Sequence, residues 1–255
     1  MLSKLRTFAR DLLYSVGEVA YPHTIITIGG ETFKVPLRWR KWFCEGYEQP
    51  TFDFIRAHCK PGATLIDIGA HFGIFTISAL RRVGPSGKVI SFEPCAATRS
   101  VLLKTLELNG FSGIPEIRDE AVSNVSGQSS FFSSTVPGDA ANSLIGNTQH
   151  PVRSEVRTVR LDDIPVLRVD AIKIDAEGAE LQILDGSRAL IMKHRPAVLL
   201  SVHPSQVKQS GSSLGELWDV MDSLKLVPHL NQECVSAEWF CGQTELFDVC
   251  LKAHA

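Results

Sequence analysis

The sequence predicts an α/β protein with a doubly wound, mostly parallel sheet, and three observations carry that expectation. From Ala63 onward, short runs rich in Val, Ile and Leu alternate with helical segments, the pattern of strands joined by right-handed crossovers. Thr64-Leu65-Ile66-Asp67-Ile68 reads as a buried strand that runs into the small-residue turn Gly69-Ala70 and a helix entry at Gly73. About twenty residues further on, Val89-Ile90-Ser91-Phe92 is a second strand and ends on an acid, Glu93.

The elements follow in chain order. Leu2, Leu5, Phe8, Leu12, Val16 and Val19 recur at helical spacing among Lys4, Arg6 and Arg10, so the first twenty or so residues read as a basic amphipathic helix. It lacks the uninterrupted apolar core and small-residue cleavage site of a signal peptide. Such a helix suits weak contact with a membrane surface, but its expected use is to pack its apolar stripe onto the domain. Ile25–Ile28, Gly29-Gly30 and Thr32–Val35 form a hairpin with a two-residue turn. Leu37-Arg38-Trp39-Arg40-Lys41-Trp42 reads as a surface loop anchored by its tryptophans. Residues 1–48 are thus an extension of helix and hairpin, and residues 49–255 the main domain.

Within that domain strands are expected near 63–68, 88–92 and 114–119, with helices near 72–83 and 95–108, the second stopped by Asn109-Gly110. Residues 133–154, rich in Ser, Gly, Asn and Pro, read as a long functional loop. Val156–Leu161 alternates as a solvent-flanked strand turned by Asp162-Asp163. A buried strand, Val169–Asp175, leads to a helix opening at Ala176–Glu180, and another strand, Ala197–Val202, ends at His203-Pro204. A helix near 213–224 and strands near 226–230 and 246–252 close the chain.

Composition narrows the function classes. A chain of 255 residues with 44% hydrophobic content can bury a full core, and a net charge of -2 lacks the basic excess of a dedicated nucleic-acid binder. The six cysteines contain no Cys-x-x-Cys pair, which suits free thiols in a reducing, cytoplasmic setting rather than a zinc site or disulfide framework. No apolar run is long enough for a transmembrane helix. Nothing in the sequence fixes an oligomeric state.

Asp67, Gly69, Glu93, Glu120 and Asp175 all fall at carboxyl ends of expected strands, where open parallel sheets bind ligands. Glu93 is placed to accept hydrogen bonds from ribose hydroxyls. The turn Gly69-Ala70-His71-Phe72-Gly73 lacks the Gly-x-Gly-x-x-Gly that lets backbone close on a pyrophosphate. An acid just before the turn also suits a cation. S-adenosyl-L-methionine, with a sulfonium, an ammonium and no phosphate, matches an acid-rimmed pocket better than a dinucleotide does.

Five motifs occur in register: Asp67-Ile68-Gly69-Ala70, Phe92-Glu93-Pro94, Ala121-Val122 ahead of Gly127, Leu161-Asp162-Asp163, and Ile172-Lys173-Ile174-Asp175-Ala176-Glu177-Gly178-Ala179-Glu180 with Leu184-Asp185-Gly186 after it. Together they resemble the FkbM-family methyltransferases over about residues 50–205. The resemblance implies a class I, Rossmann-like methyltransferase fold, a seven-stranded sheet with an antiparallel last strand, and O-methylation of a hydroxyl on a sugar, glycoside or other small-molecule or natural-product acceptor. His71 stands where the family commonly has Asn, and Ser201 where a Glu often precedes the His.

The turn and the resemblance together make Asp67, Gly69, Ala70, His71, Gly73, Glu93, Pro94, Glu120, Ala121 and Asp175 the expected donor site. Asn142 and Ser143 are expected to cover the acceptor. A hydroxyl acceptor gains from a base; Asp175, Glu177 and His203 are the candidates, His203 as a neutral-pH base. The same three residues are suitable ligand types for Mg²⁺ or Mn²⁺, but their sequence spacing does not impose a geometry, and no metal is expected. A nicotinamide-dependent oxidoreductase and a non-catalytic adenosyl-binding module are the alternatives from other classes.

Overall fold

The computed structural model describes residues 23–43, 46–134, 142–146 and 152–253. The N-terminal amphipathic helix and much of the 133–154 loop lie outside the described residues.

The hairpin forms as expected. β1 (His23–Ile28) and β2 (Glu31–Pro36) pair antiparallel, and the turn needs both glycines, at φ 56° and 74°. Ile26, Ile28, Phe33 and Val35 share a hydrophobic cluster with Phe52 and Ile55 of α1 (Gln49–His58). The 37–42 segment is a 3₁₀ helix rather than a loop, and its Trp39 is buried.

The central sheet comprises β3 (Thr64–Ile68), β4 (Lys88–Phe92), β5 (Glu116–Arg118), β9 (Ala171–Ile174), β10 (Ala197–Val202), β11 (Leu226–Leu230), β12 (Glu233–Cys234) and β13 (Phe247–Ala253). Their spatial order is β12-β11-β13-β10-β9-β3-β4-β5. The chain runs outward from β3 through β4 to β5, then returns to β9 on the other side of β3, so the order reverses between β3 and β9. That reversal opens the crevice where such sheets bind ligands. β13 runs antiparallel to both β10 and β11 and lies between them. Eight strands stand where seven were expected; the additional one is the two-residue edge strand β12, formed where the chain turns back on β11.

Helices α2 (Ile74–Val83) and α3 (Ala96–Leu108) connect the first strands; α4 (Glu180–Asp185), α5 (Arg188–His194), α6 (Pro204–Gln209), α7 (Leu214–Ser223) and α8 (Ala237–Cys241) follow. α7 starts on a capping box in which Ser213 and Glu216 satisfy each other's backbone N–H groups. All five residues of β3 are buried. Ile66 and Ile68 pack with Ile172, Ile174 and Leu200 on one face, and Leu65 packs with Val89, Ala171 and Leu199 on the other. Burying each such aliphatic side chain contributes roughly 1.5–3 kcal/mol.

Three local expectations are corrected. A further, three-stranded sheet, β6 (Ala121–Val122), β8 (Val152–Val159) and β7 (Gly127–Ser133), takes in the strand expected near 156–161 and extends into both ends of the stretch read as loop. Serines at Ser129, Ser130 and Ser133 hid β7, whose partner β8 supplies the pairing. The third central strand is three residues long, not six. The helix expected from Ala176 begins at Glu180, because Glu177 and Gly178 are left-handed at φ 52° and 102°.

Candidate active site

A cavity of about 890 Å³, counting its open mouth, lies over the carboxyl ends of β3, β4 and β9. Its wall includes Gly69, Ala70, His71, Glu93, Pro94, Glu120, Ala121, Asn142, Ser143, Asp175 and Glu177, all named from the sequence. Asp67 and Gly73 do not line it. His203 reaches it through its contacts with Asp175 and Glu177.

The floor is set by the approach of β3 to β9. Gly69 has φ 74°, and a Cβ there would meet the Asp175 backbone oxygen at 1.9 Å, so no other residue fits without moving a strand end. The strand register places Asp67 opposite Lys173. Both side chains are fully or almost fully buried, 3.8 Å apart, and the Lys173 ammonium also donates to Asp175 Oδ2 at 3.3 Å and to the Gly69 carbonyl at 3.2 Å. The Thr76 hydroxyl donates to Asp67 at 2.7 Å. Asp67 therefore acts from below the floor, neutralising Lys173, rather than facing a ligand. Burial raises its carboxyl above the usual range against the pull of Lys173.

Glu93 closes the neighbouring strand. One carboxylate oxygen accepts the His71 N–H at 2.9 Å and the other accepts the Cys95 N–H at 3.0 Å. The side chain is 6% exposed, and burial pushes its carboxyl up to about 7, with the two backbone donors resisting. His71 reaches it by a left-handed backbone at φ 50°. Its ring stacks on Phe72, which packs in turn on Trp39. The tryptophan of the 3₁₀ helix thus steadies the turn that holds Glu93.

Glu120 lines the cavity with both carboxylate oxygens bonded to Arg118, whose guanidinium covers the Phe92 ring. Asn142 accepts the Ser134 N–H, and the Ser143 hydroxyl donates to the Glu177 carbonyl at 2.7 Å. Asn142 thus holds its segment to the residue after β7, and Ser143 holds it to the turn at Glu177.

Asp175, Glu177 and His203 come together although the sequence spacing did not require it: one donor atom from each lies within 4.8 Å of the others. His203 Nδ1 is 2.8 Å from Glu180 Oε1, while Nε2 lies 3.4 Å from Glu177 Oε1 and 3.7 Å from Asp175 Oδ1. Burial alone would lower the imidazole; hydrogen bonding and charge from Glu177 and Glu180 override it and lift it to about 11. With no cation among these carboxylates His203 keeps its proton at neutral pH, which corrects its expected role as a neutral base. For Asp175 burial works upward, and Lys173 and His203 outweigh it, holding the carboxyl below its usual range.

Sequence reasoning missed Glu48 and Asp248. Glu48 lines the cavity, and its carboxyl is pushed up to about 7 by burial and by the charge of Asp175. It precedes the Gln49-Pro50 helix start and carried no motif. Asp248 accepts a 2.6 Å bond from Ser201, its register partner across β10 and β13, and burial raises it. Where the resemblance implies an acid, β10 carries Ser201, and Asp248 supplies a carboxylate from the adjacent strand. The acids outnumber Lys173 and His203, so the pocket favours a cationic ligand.

A doubly wound sheet with β13 inserted antiparallel, and an acid-rimmed crevice at its switch point, define a class I methyltransferase fold. The Methyltransferase FkbM domain matches residues 67–232, and the chain belongs to that family of S-adenosylmethionine-dependent methyltransferases. It is 28% identical over 143 residues to Methyltransferase 1 of Beauveria bassiana, covering 48% of this chain and 57% of that protein. It is 25% identical over 202 residues to the AMB antimetabolite synthetase AmbE of Pseudomonas aeruginosa, covering 65% of this chain and 9% of that one. The chain thus spans less than two thirds of either relative. A S-adenosylmethionine-dependent O-methyltransferase structure from Thermotoga maritima superposes with TM-score 0.50 and 14% identity, covering 92% of this chain and 79% of that one, a likeness of fold. Among the described residues, no helix is long and apolar enough to cross a membrane.

Proposed function

We propose that this protein transfers a methyl group from S-adenosyl-L-methionine to a hydroxyl oxygen of a small-molecule or glycosylated acceptor. The observation that carries the reading is Glu93: a buried carboxylate at the end of β4, held by two backbone N–H groups and facing a cavity over the strand-order reversal. An acid there can accept from the two hydroxyls of a ribose. Ala121, Val122, Phe92 and Pro94 offer apolar surface for a purine, and the acid-rich end by Asp175 suits the sulfonium and ammonium. The residues present therefore fit the donor, which supplies a methyl carbon already activated for displacement.

The chain's own work is to orient the acceptor and take its proton. Asp175 is ionised and fixed by Lys173, so it can position the acceptor hydroxyl by hydrogen bonding. Glu48, titrating at about 7 on the cavity wall, is suited to receive the hydroxyl proton as the oxygen–carbon bond forms and the carbon–sulfur bond breaks. The name of AmbE, an antimetabolite synthetase, supports a small-molecule acceptor.

Thermal-shift and calorimetric titration with S-adenosylmethionine, S-adenosylhomocysteine and NAD tests the donor. Stabilisation by the first two and none by NAD is expected. A shift with NAD alone would overturn the reading in favour of a nicotinamide enzyme.

A further inference from the structure

We propose that Asp175, Glu177 and His203 form a divalent-cation site at the rim of the cavity, presenting Asp175 Oδ1, Glu177 Oε1 and His203 Nε2 to one ion.

Each of the three side chains uses its other polar atom on a separate partner. Asp175 Oδ2 is bonded by the Lys173 ammonium at 3.3 Å, Glu177 Oε2 by the Gln206 amide at 3.1 Å, and His203 Nδ1 by Glu180 at 2.8 Å. The remaining atoms are left to face one another. A carboxylate holding the far nitrogen of an imidazole is the usual support for a metal-ligating histidine, since it fixes the ring; the ion takes the Nε2 lone pair by displacing the proton that His203 carries without it, so binding releases a proton to solvent. Glu180 is fully buried, and its Oε2 has no hydrogen-bond partner among the described residues.

The ion pairs of Nε2 with the two carboxylates are loose and leave room for an ion between them. Nε2 stands 3.4 and 3.7 Å from the two carboxylate oxygens, longer than the roughly 2.7–2.9 Å of a charge-assisted hydrogen bond. Neighbouring ligands on an octahedral ion with bonds near 2.1 Å are roughly 3 Å apart, within reach of small side-chain rotations. The backbone is also committed to this geometry. Glu177 is left-handed without being glycine, and the next residue packs so closely on Gln206 that a Cβ would sit 2.6 Å from the Gln206 Cβ. In that left-handed turn the Glu177 carboxylate lies 3.4 Å from His203.

Two carboxylates and one imidazole make a mixed oxygen–nitrogen set, which suits Mn²⁺ better than Mg²⁺. Three protein ligands leave positions open on the cavity side, lined by Asp175 and Glu177, where an acceptor with a hydroxyl and a neighbouring oxygen can bind. That last role rests on the methyl-transfer reading; the metal site does not.

The test is titration of the full chain with Mn²⁺, followed by calorimetry and by pulsed electron paramagnetic resonance, with S-adenosylhomocysteine binding measured on the same samples. One equivalent should bind saturably at sub-millimolar Mn²⁺ and show nitrogen modulation from a directly bound imidazole. Glu177→Gln and His203→Gln should each weaken binding at least about tenfold, with the modulation lost in the second, and Glu180→Gln about ten- to a hundredfold. Thermal melts and retained S-adenosylhomocysteine affinity identify variants that remain folded. No saturable binding, binding without nitrogen modulation, or unchanged affinity in Glu177→Gln would overturn the site. If S-adenosylhomocysteine binds and Mn²⁺ does not, only the metal falls; if Mn²⁺ binds and S-adenosylhomocysteine does not, only the methyl donor falls.

Discussion

The backbone oxygen of Asp175 occupies the space that a side chain on Gly69 would need, 1.9 Å from where its Cβ would lie. The two strand ends on either side of the switch point can therefore approach this closely only with glycine at position 69. Gly69→Ala should destabilise the protein by about 2–6 kcal/mol, combining a left-handed backbone penalty with overpacking. Chemical denaturation reads this directly, and a midpoint equal to that of the wild type would mean that β3 and β9 separate freely.

Glu93→Ala removes the acceptor of the proposed ribose bonds. Charge-assisted bonds contribute about 1.5–3 kcal/mol each, so S-adenosylhomocysteine affinity should fall roughly ten- to a hundredfold. Unchanged affinity by calorimetry would take Glu93 out of the donor site.

The same residue predicts a pH dependence. Folded Glu93 keeps its proton up to about pH 7, whereas the unfolded value is 4.5. The stability this provides is complete below 4.5 and is lost as pH rises through 7, by up to about 3 kcal/mol. Glu48, also at about 7, adds in the same direction. The ligand-free protein should melt at a lower temperature at pH 8 than at pH 5 on their account, and Glu93→Gln should flatten part of that slope. An identical slope in wild type and variant would contradict the assignment.

Lys173 is the cation on which Asp67 and Asp175 depend. Lys173→Met should cost about 3–5 kcal/mol by leaving buried charge unpaired. Adding Asp67→Asn should restore part of the loss, and a double-mutant cycle measures the coupling. Strict additivity of the two changes would show that the pair does not interact.

The site was legible where it depends on strand ends. Gly69, Glu93 and Asp175 could be placed because apolar runs mark strands and the parallel order brings their carboxyl ends to one edge. Asp67 shares that edge in sequence, but the alternation of side chains along β3 turns it inward, opposite Lys173. His203 was found as a strand-end histidine. Its charge state was not, because it depends on Glu177 and Glu180 arriving by way of a left-handed turn. Glu48 and Asp248 had no local signal: one sits beside the cavity only after α1 packs, the other only after β13 inserts antiparallel beside β10. The serine-rich β7 was hidden for a similar reason, since its stability comes from pairing with β8.

The hydroxyl of Ser143 ties the 142–146 segment to the carbonyl of Glu177, the residue whose left-handed backbone sets its acid beside His203. Anyone exchanging this stretch between relatives to alter what the cavity accepts would be moving a fastening as well as a wall. A graft without a hydroxyl at that position should loosen the turn beneath it, so that turnover drops for every compound tried instead of shifting preference from one to another.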